Sequence, residues 1–164
     1  MVDIDDRVRD IERLKNALET GSDARSFLTE NPYYWRAKDR LTGKTALHFA
    51  AEAGYVHVGS LLVGYMSVGL LGVRDNEGFT ALARATSKGN FGLAKCILTR
   101  SKKLLTIQND RGNIPAVAAL FDGNLDLALY LYSHTPPEIL RPGNGIIGPT
   151  VVCEAIYNKA LGKN

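Results

Sequence analysis

Nine residues beginning at Gly43, GKTALHFAA, return twice downstream in altered form, and the interval between the copies is almost constant. The later copies open at Gly78 (GFTALARAT) and Gly112 (GNIPAVAAL), thirty-five and thirty-four residues on. Each opening glycine is answered by another eleven positions later, at Gly54, Gly89 and Gly123. A fixed period of this size describes one supersecondary unit stacked on itself, not a chain wrapped round a single closed core.

The residues of one unit dictate its local structure. Asp39, Asp75 and Asn109 stand three or four positions before the opening glycines, where a short polar side chain bonds nearby backbone and the glycine supplies the left-handed turn of a hairpin tip. Thr45 and Thr80 then fall where a helix begins and free N–H groups need acceptors, with Pro115 suited to the first helical position of the third copy. Small residues at Ala50, Ala51, Ala85 and Ala119 allow close approach of neighbouring helices, and Leu47 and Leu82 fill the space between them. A second helix follows each second glycine. Its apolar positions are Val58, Leu61 and Leu62, then Leu93, Cys96 and Ile97, then Leu127, Tyr130 and Leu131, at helical spacing.

With Asp39 ahead of it and a paired helix behind it, TALHFAAEAG at 45–54 resembles an ankyrin repeat, whose signature is T-P-L-H-x-A-A. The resemblance runs from about 14 to 161 and is strongest over 39–133. It implies an all-α ankyrin-repeat solenoid of stacked helix–turn–helix units with β-hairpin loops. More particularly, LTIQNDRGN at 105–113 and ALYLYS at 128–133 are similar to segments of plant ankyrin-repeat proteins that carry a C-terminal membrane-spanning module. Residues 1–164 contain no segment of that kind. Ala83, Ile114 and Val117 depart from the Thr and His of the signature, so the second and third units are expected to be less tightly capped than the first.

On this scheme residues 1–164 form one array. Residues 3–36 make an N-terminal capping half-repeat, 37–73, 74–107 and 108–141 three repeats, and 142–164 an incomplete fourth that begins its inner helix at Thr150. The aromatic run at 33–35 is expected to pack under the first hairpin. The charge-free stretch 54–73 approaches the length of a membrane span, yet its five glycines and its fit to the second-helix register assign it to the array. Its excess length falls in the 66–72 connection. The G-x-G-x-x-G at 143–148 lacks the preceding strand and following βαβ unit of a dinucleotide site and reads as a loop.

Composition narrows the function. A net charge of +3 is too mild for a dedicated nucleic-acid binder, and the cluster Arg100, Lys102 and Lys103 reads as a solvated loop. Cys96 and Cys153 read as small buried hydrophobes of a reducing compartment. The charged start and the lack of a glycosylation sequon agree with a cytoplasmic location, extending to the cytoplasmic face of a membrane in any longer form. No histidine has a metal-ligand partner at suitable spacing, and His48 is expected to brace the turn that Thr45 caps. No enzyme, cofactor or metal site is therefore expected, nor membrane insertion by these residues.

The remaining expectation is a non-catalytic protein-interaction module that binds on its concave hairpin and inner-helix face. The alternative, which the resemblance implies, is a truncated fragment of a plant membrane-tethered ankyrin-repeat signalling or defence-related protein. The positions free to vary are Arg40, Lys44 and Glu52 in the first unit and Arg74, Asn76, Glu77, Phe79, Ser87 and Lys88 in the second. The third contributes Gln108, Asp110, Arg111, Asn113, Phe121 and Asp122. Phe79 and Phe121 are expected to face solvent as anchors, flanked by Arg74, Lys88 and Arg111, which suits a partner acidic around an apolar anchor.

Overall fold

The computed structural model describes residues 16, 24–32 and 34–140. Its elements are α1 (Ala24–Glu30), α2 (Ala46–Ala53), α3 (Val56–Tyr65), a single turn α4 (Val68–Leu71), α5 (Ala81–Ser87), α6 (Phe91–Arg100), a 3-10 turn (Lys102–Thr106), α7 (Pro115–Phe121) and α8 (Leu125–His134). The inner helices α2, α5 and α7 stack in order, and each packs on its own outer helix, α3, α6 or α8. No strand occurs among the described residues. The hairpins are closed by backbone bonds, Asp39 N–H to Lys44 O (2.7 Å), Asp75 N–H to Phe79 O (2.9 Å) and Asn109 N–H to Asn113 O (2.9 Å), and the second adds an Arg74–Thr80 bridge.

Each turn is built as its short polar residue dictates. Asp75 Oδ1 accepts from the Glu77 and Phe79 N–H groups at 3.0 and 2.9 Å, and Asn109 Oδ1 accepts from Arg111 and Asn113, both at 3.0 Å. In the first hairpin Asp39 Oδ2 accepts from the Thr42 N–H (3.0 Å) and from its hydroxyl. Gly43 and Gly78 take the positive φ expected of them, 68° and 77°. They serve a second purpose that the repeat pattern alone does not state. A Cβ on Gly43 would strike Asn76, and one on Gly78 would strike Asp110, so each hairpin tip is roofed by the next.

The core follows the small-and-large pattern of the inner helices. Leu47, Leu82, Ala50, Ala51, Ala85 and Ala119 are fully buried, and each such leucine contributes about 2 kcal/mol of transfer free energy. Outer helices bury a stripe at Val58 and Leu62, Leu93 and Ile97, and Leu127 and Leu131. Leu61, Cys96 and Tyr130 share one register position at the edge of that stripe and are only half-buried. Cys96 is therefore not the enclosed hydrophobe its helix pattern suggests. Gly59 lets α3 close on α6, since a Cβ there would meet the Leu93 side chain.

Capping grades down the stack. His48 Nδ1 accepts from the Thr45 N–H (3.1 Å) and lies 2.7 Å from its hydroxyl, Thr80 Oγ1 accepts from Ala83 N–H (3.2 Å), and Ile114 offers nothing but a fully buried side chain ahead of Pro115. Tyr34 is buried and Trp35 stacks on Tyr65, with ring centroids 5.1 Å apart and planes 7° apart. The 66–72 connection is not a bare loop. It folds into α4 and delivers Met66 and Leu71 to the core. Lys102 and Lys103 are exposed on the 3-10 turn, whereas Arg100 reaches back to donate to Met66 O (3.3 Å). The expectations for 3–15, 17–23, Tyr33, the 143–148 glycines, Thr150 and Cys153 lie outside the described residues.

Candidate protein-interaction face

The hairpins and the exposed sides of the inner helices form one face, and its first half is closed by paired charge. Lys44 Nζ holds both oxygens of Glu52 at 2.8 and 2.9 Å, and Glu52 Oε1 lies 3.3 Å from Arg84 Nη1 in the next unit. Arg84 Nε donates to Asp75 Oδ2 (2.7 Å), while Nη2 sits 2.6 Å from Asp75 and 3.0 Å from Glu77 as an ion pair without hydrogen-bond alignment to either. The Asp75 carboxylate is wholly buried by this arrangement. Burial of Arg84 by itself disfavours its charge, but the hydrogen bond to Asp75 and the close carboxylates of Asp75 and Glu77 outweigh that and hold its pKa above the ordinary value.

Phe79 lies beneath the same guanidinium, 4.4 Å from ring centroid to Cζ, a cation–π contact. It is half-buried and does not stand free as the repeat scheme suggests. Its carbonyl meets His48 Nε2 at 3.0 Å. Since Nδ1 accepts from Thr45, Nε2 carries the proton, and burial pushes the His48 pKa below its ordinary value. His48 thus ties the first unit to the second, which extends the bracing role expected of it.

The second half of the face is open. Ala118 occupies the register position of Arg84, and above it lies a groove of about 270 Å³. The end of α5 contributes Ser87 and Lys88, the third hairpin Asn109, Arg111 and Asn113, and the end of α7 Phe121 and Asp122, with Phe79 and Arg84 on the far side. Phe121 is 61% exposed. Most variable positions expected of the second and third units therefore converge on one feature, and Lys44, Glu52 and Glu77 belong to the neighbouring ion network instead.

Other expected positions have different settings. Arg40 and Arg74 are exposed on hairpins, and Gln108 is half-buried. Asn76 is committed between hairpins, where its N–H and Nδ2 donate to Thr42 O and Leu41 O, both at 2.9 Å, and Asp110 covers Gly78. Two residues escaped the sequence reading: Arg84, centre of the network, and Leu41, 88% exposed at the first hairpin tip. Aligning the sixth position after each opening glycine (Phe49, Arg84, Ala118) carries the signal for the first; nothing periodic marks the second. Among the described residues no group of His, Cys, Asp and Glu is assembled for a metal, His57 is exposed, and His134 Nδ1 lies 2.7 Å from Tyr130 O.

A family model described as Ankyrin repeats (3 copies) matches residues 14–109, more than half of the chain. The chain belongs to the ankyrin-repeat family. Ankyrin repeats generally mediate protein–protein interaction and are generally non-catalytic. Over 107 residues, 65% of the chain, this ankyrin protein is 31% identical to SMC5-SMC6 complex localization factor protein 1 of Homo sapiens and equally to that of Bos taurus. It spans only 10% of the length of those relatives. A chain in the crystal structure of the yeast ribosomal protein Rps3 in complex with its chaperone Yar1 superposes with a TM-score of 0.67 at 19% identity, covering 81% of this chain and 95% of that one. That likeness concerns the fold. No helix among the described residues is long and apolar enough to cross a membrane.

Proposed function

We propose that this ankyrin array is a non-catalytic binding module that captures a protein partner on its hairpin and inner-helix face, at the units built on α5 and α7. The observation that carries this reading is the groove above Ala118, with Phe121 exposed at its rim, beside inner-helix positions closed by ion pairs in the preceding units. An exposed aromatic beside an open groove is the arrangement of an interaction hot spot. Relatives named as localization factors for a protein complex fit a recruiting surface of this kind.

A photo-crosslinking amino acid placed at Ser87, inside the groove, should capture a defined protein in the native cell, and one placed at Thr99, on the exposed side of α6, should not. Equal capture at both positions, or none at Ser87, would overturn the assignment of this face.

A further inference from the structure

The closed half of the face provides an internal standard for the chemistry of the open half. Arg84 is received by three carboxylates, Asp75 and Glu77 of its own hairpin and Glu52 of the preceding inner helix. The equivalent positions around Ala118 are Asn109, Arg111 and Ser87. The space that holds a cation in one unit has thus lost every acidic partner in the next and gained a guanidinium.

Arg111 and, at the end of α5, Lys88 are exposed, and neither side chain is ion-paired among the described residues. Asp122 is the single carboxylate on the groove lining. A positively charged side chain entering here would meet the unpaired Lys88 and Arg111 with only Asp122 on the lining to offset them, the charge of Arg84 being already balanced by its own carboxylates. A carboxylate would meet two unpaired cations. Coulomb attraction for a half-exposed pair of this kind is modest singly, but two on one group select sign and orientation.

We infer that the groove receives an acidic peptide segment of the partner, one apolar side chain lying over Ala118 against Phe121 and a neighbouring Asp or Glu reaching Lys88 and Arg111. The inference rests on the protein-binding reading and adds the chemistry of the bound segment. Ala118 is the residue that permits it, because the long side chain found at the same position one unit earlier fills this space.

The test is selection of short random peptides displayed on phage against the full chain, then titration of one enriched peptide against variants. Enriched sequences should carry Asp or Glu beside an aromatic or aliphatic residue. Lys88→Glu with Arg111→Glu should weaken binding by about tenfold or more and reverse the preference toward basic peptides. Ala118→Arg should block the groove and abolish binding. Since Ala118 is buried, its variant is read only with an unchanged melt, and the charge pair, being exposed, keeps the question open to measurement if Ala118→Arg fails to fold. Enrichment of basic or uncharged peptides, enrichment of none, or acidic peptides whose affinity ignores these substitutions would overturn the inference. If that happens while Ser87 still crosslinks a partner, the face stands and only its chemistry has been misassigned.

Discussion

The first and second units meet through charge and polar staples, while the second and third meet over a groove. At the first junction Glu52 reaches Arg84, His48 reaches the Phe79 carbonyl and Asn76 caps two carbonyls of the preceding hairpin. At the second, Asn124 Nδ2 donates to Thr86 O and Ser87 O at 3.0 and 2.9 Å, away from the hairpins, and the position of Arg84 is taken by Ala118. Both junctions keep the same apolar packing beneath. One unit plan can therefore give up polar contacts on its variable face without losing the stack, because stability resides in the buried small and branched residues.

The largest effect should come from removing the centre of the closed half. Asp75→Ala strips a buried carboxylate from Arg84 and, with its Oδ1, the acceptor of two turn N–H bonds, and should cost about 3 kcal/mol in denaturant unfolding. Asn109→Ala, which loses the same turn bonds but no ion pair, should cost about half as much. Equal losses would mean that the ion pair between Asp75 and Arg84 adds nothing to stability.

The aromatic pair should divide in the same way. Phe79→Ala removes a half-buried ring from beneath Arg84 and should cost about 1.5 kcal/mol, whereas Phe121→Ala should change stability by less than about 0.5 kcal/mol and act on binding alone. A melt that falls equally for both would place Phe121 in the stack and close the open half.

At the caps, Thr45→Ala should cost about 1 kcal/mol. The sequence pattern expects Ile114→Thr to be neutral or stabilising, but Ile114 is fully buried, so the gained cap is offset by about 1 kcal/mol of lost burial and the net change should be near zero. Denaturant midpoints of the two variants decide whether the third unit starts its helix as the first does.

The smallest effect concerns pH. The folded pKa of His48 lies below its ordinary 6.5, so the neutral form contributes fully above that value. That stability is lost as pH falls from there towards the lowered folded pKa, because the unfolded chain takes up the proton first. Comparison of unfolding at about pH 7.5 and about pH 5.5 should show a decline that His48→Gln abolishes. The second junction, with Ala83 of the second unit in the register position of His48, has no counterpart to this loss.

Period and glycine positions made the architecture legible from residues alone, since the turn, the cap and the buried stripe each answer a local requirement that recurs every thirty-four or thirty-five residues. The candidate face was legible as a set of variable positions. Its division into closed and open halves was not. That division depends on Arg84 and Ala118, which share a register position the repeat signature leaves unspecified, and on pairings between residues such as Glu52 and Arg84 that only stacking brings together. Leu41 illustrates the remaining gap: nothing in its neighbours' periodicity marks an apolar hairpin tip as exposed.

Trp35 is the single tryptophan of the sequence, and its ring lies flat against Tyr65 of α3. The protein therefore carries a built-in optical probe at one end of the array, with tyrosine poised in contact as an energy donor. Its emission should report on the junction of the N-terminal segment with α3 and stay silent when the distant groove, lined by phenylalanine, is occupied. Followed beside the helical circular dichroism signal, it would tell whether the array unzips from this end or opens throughout at once.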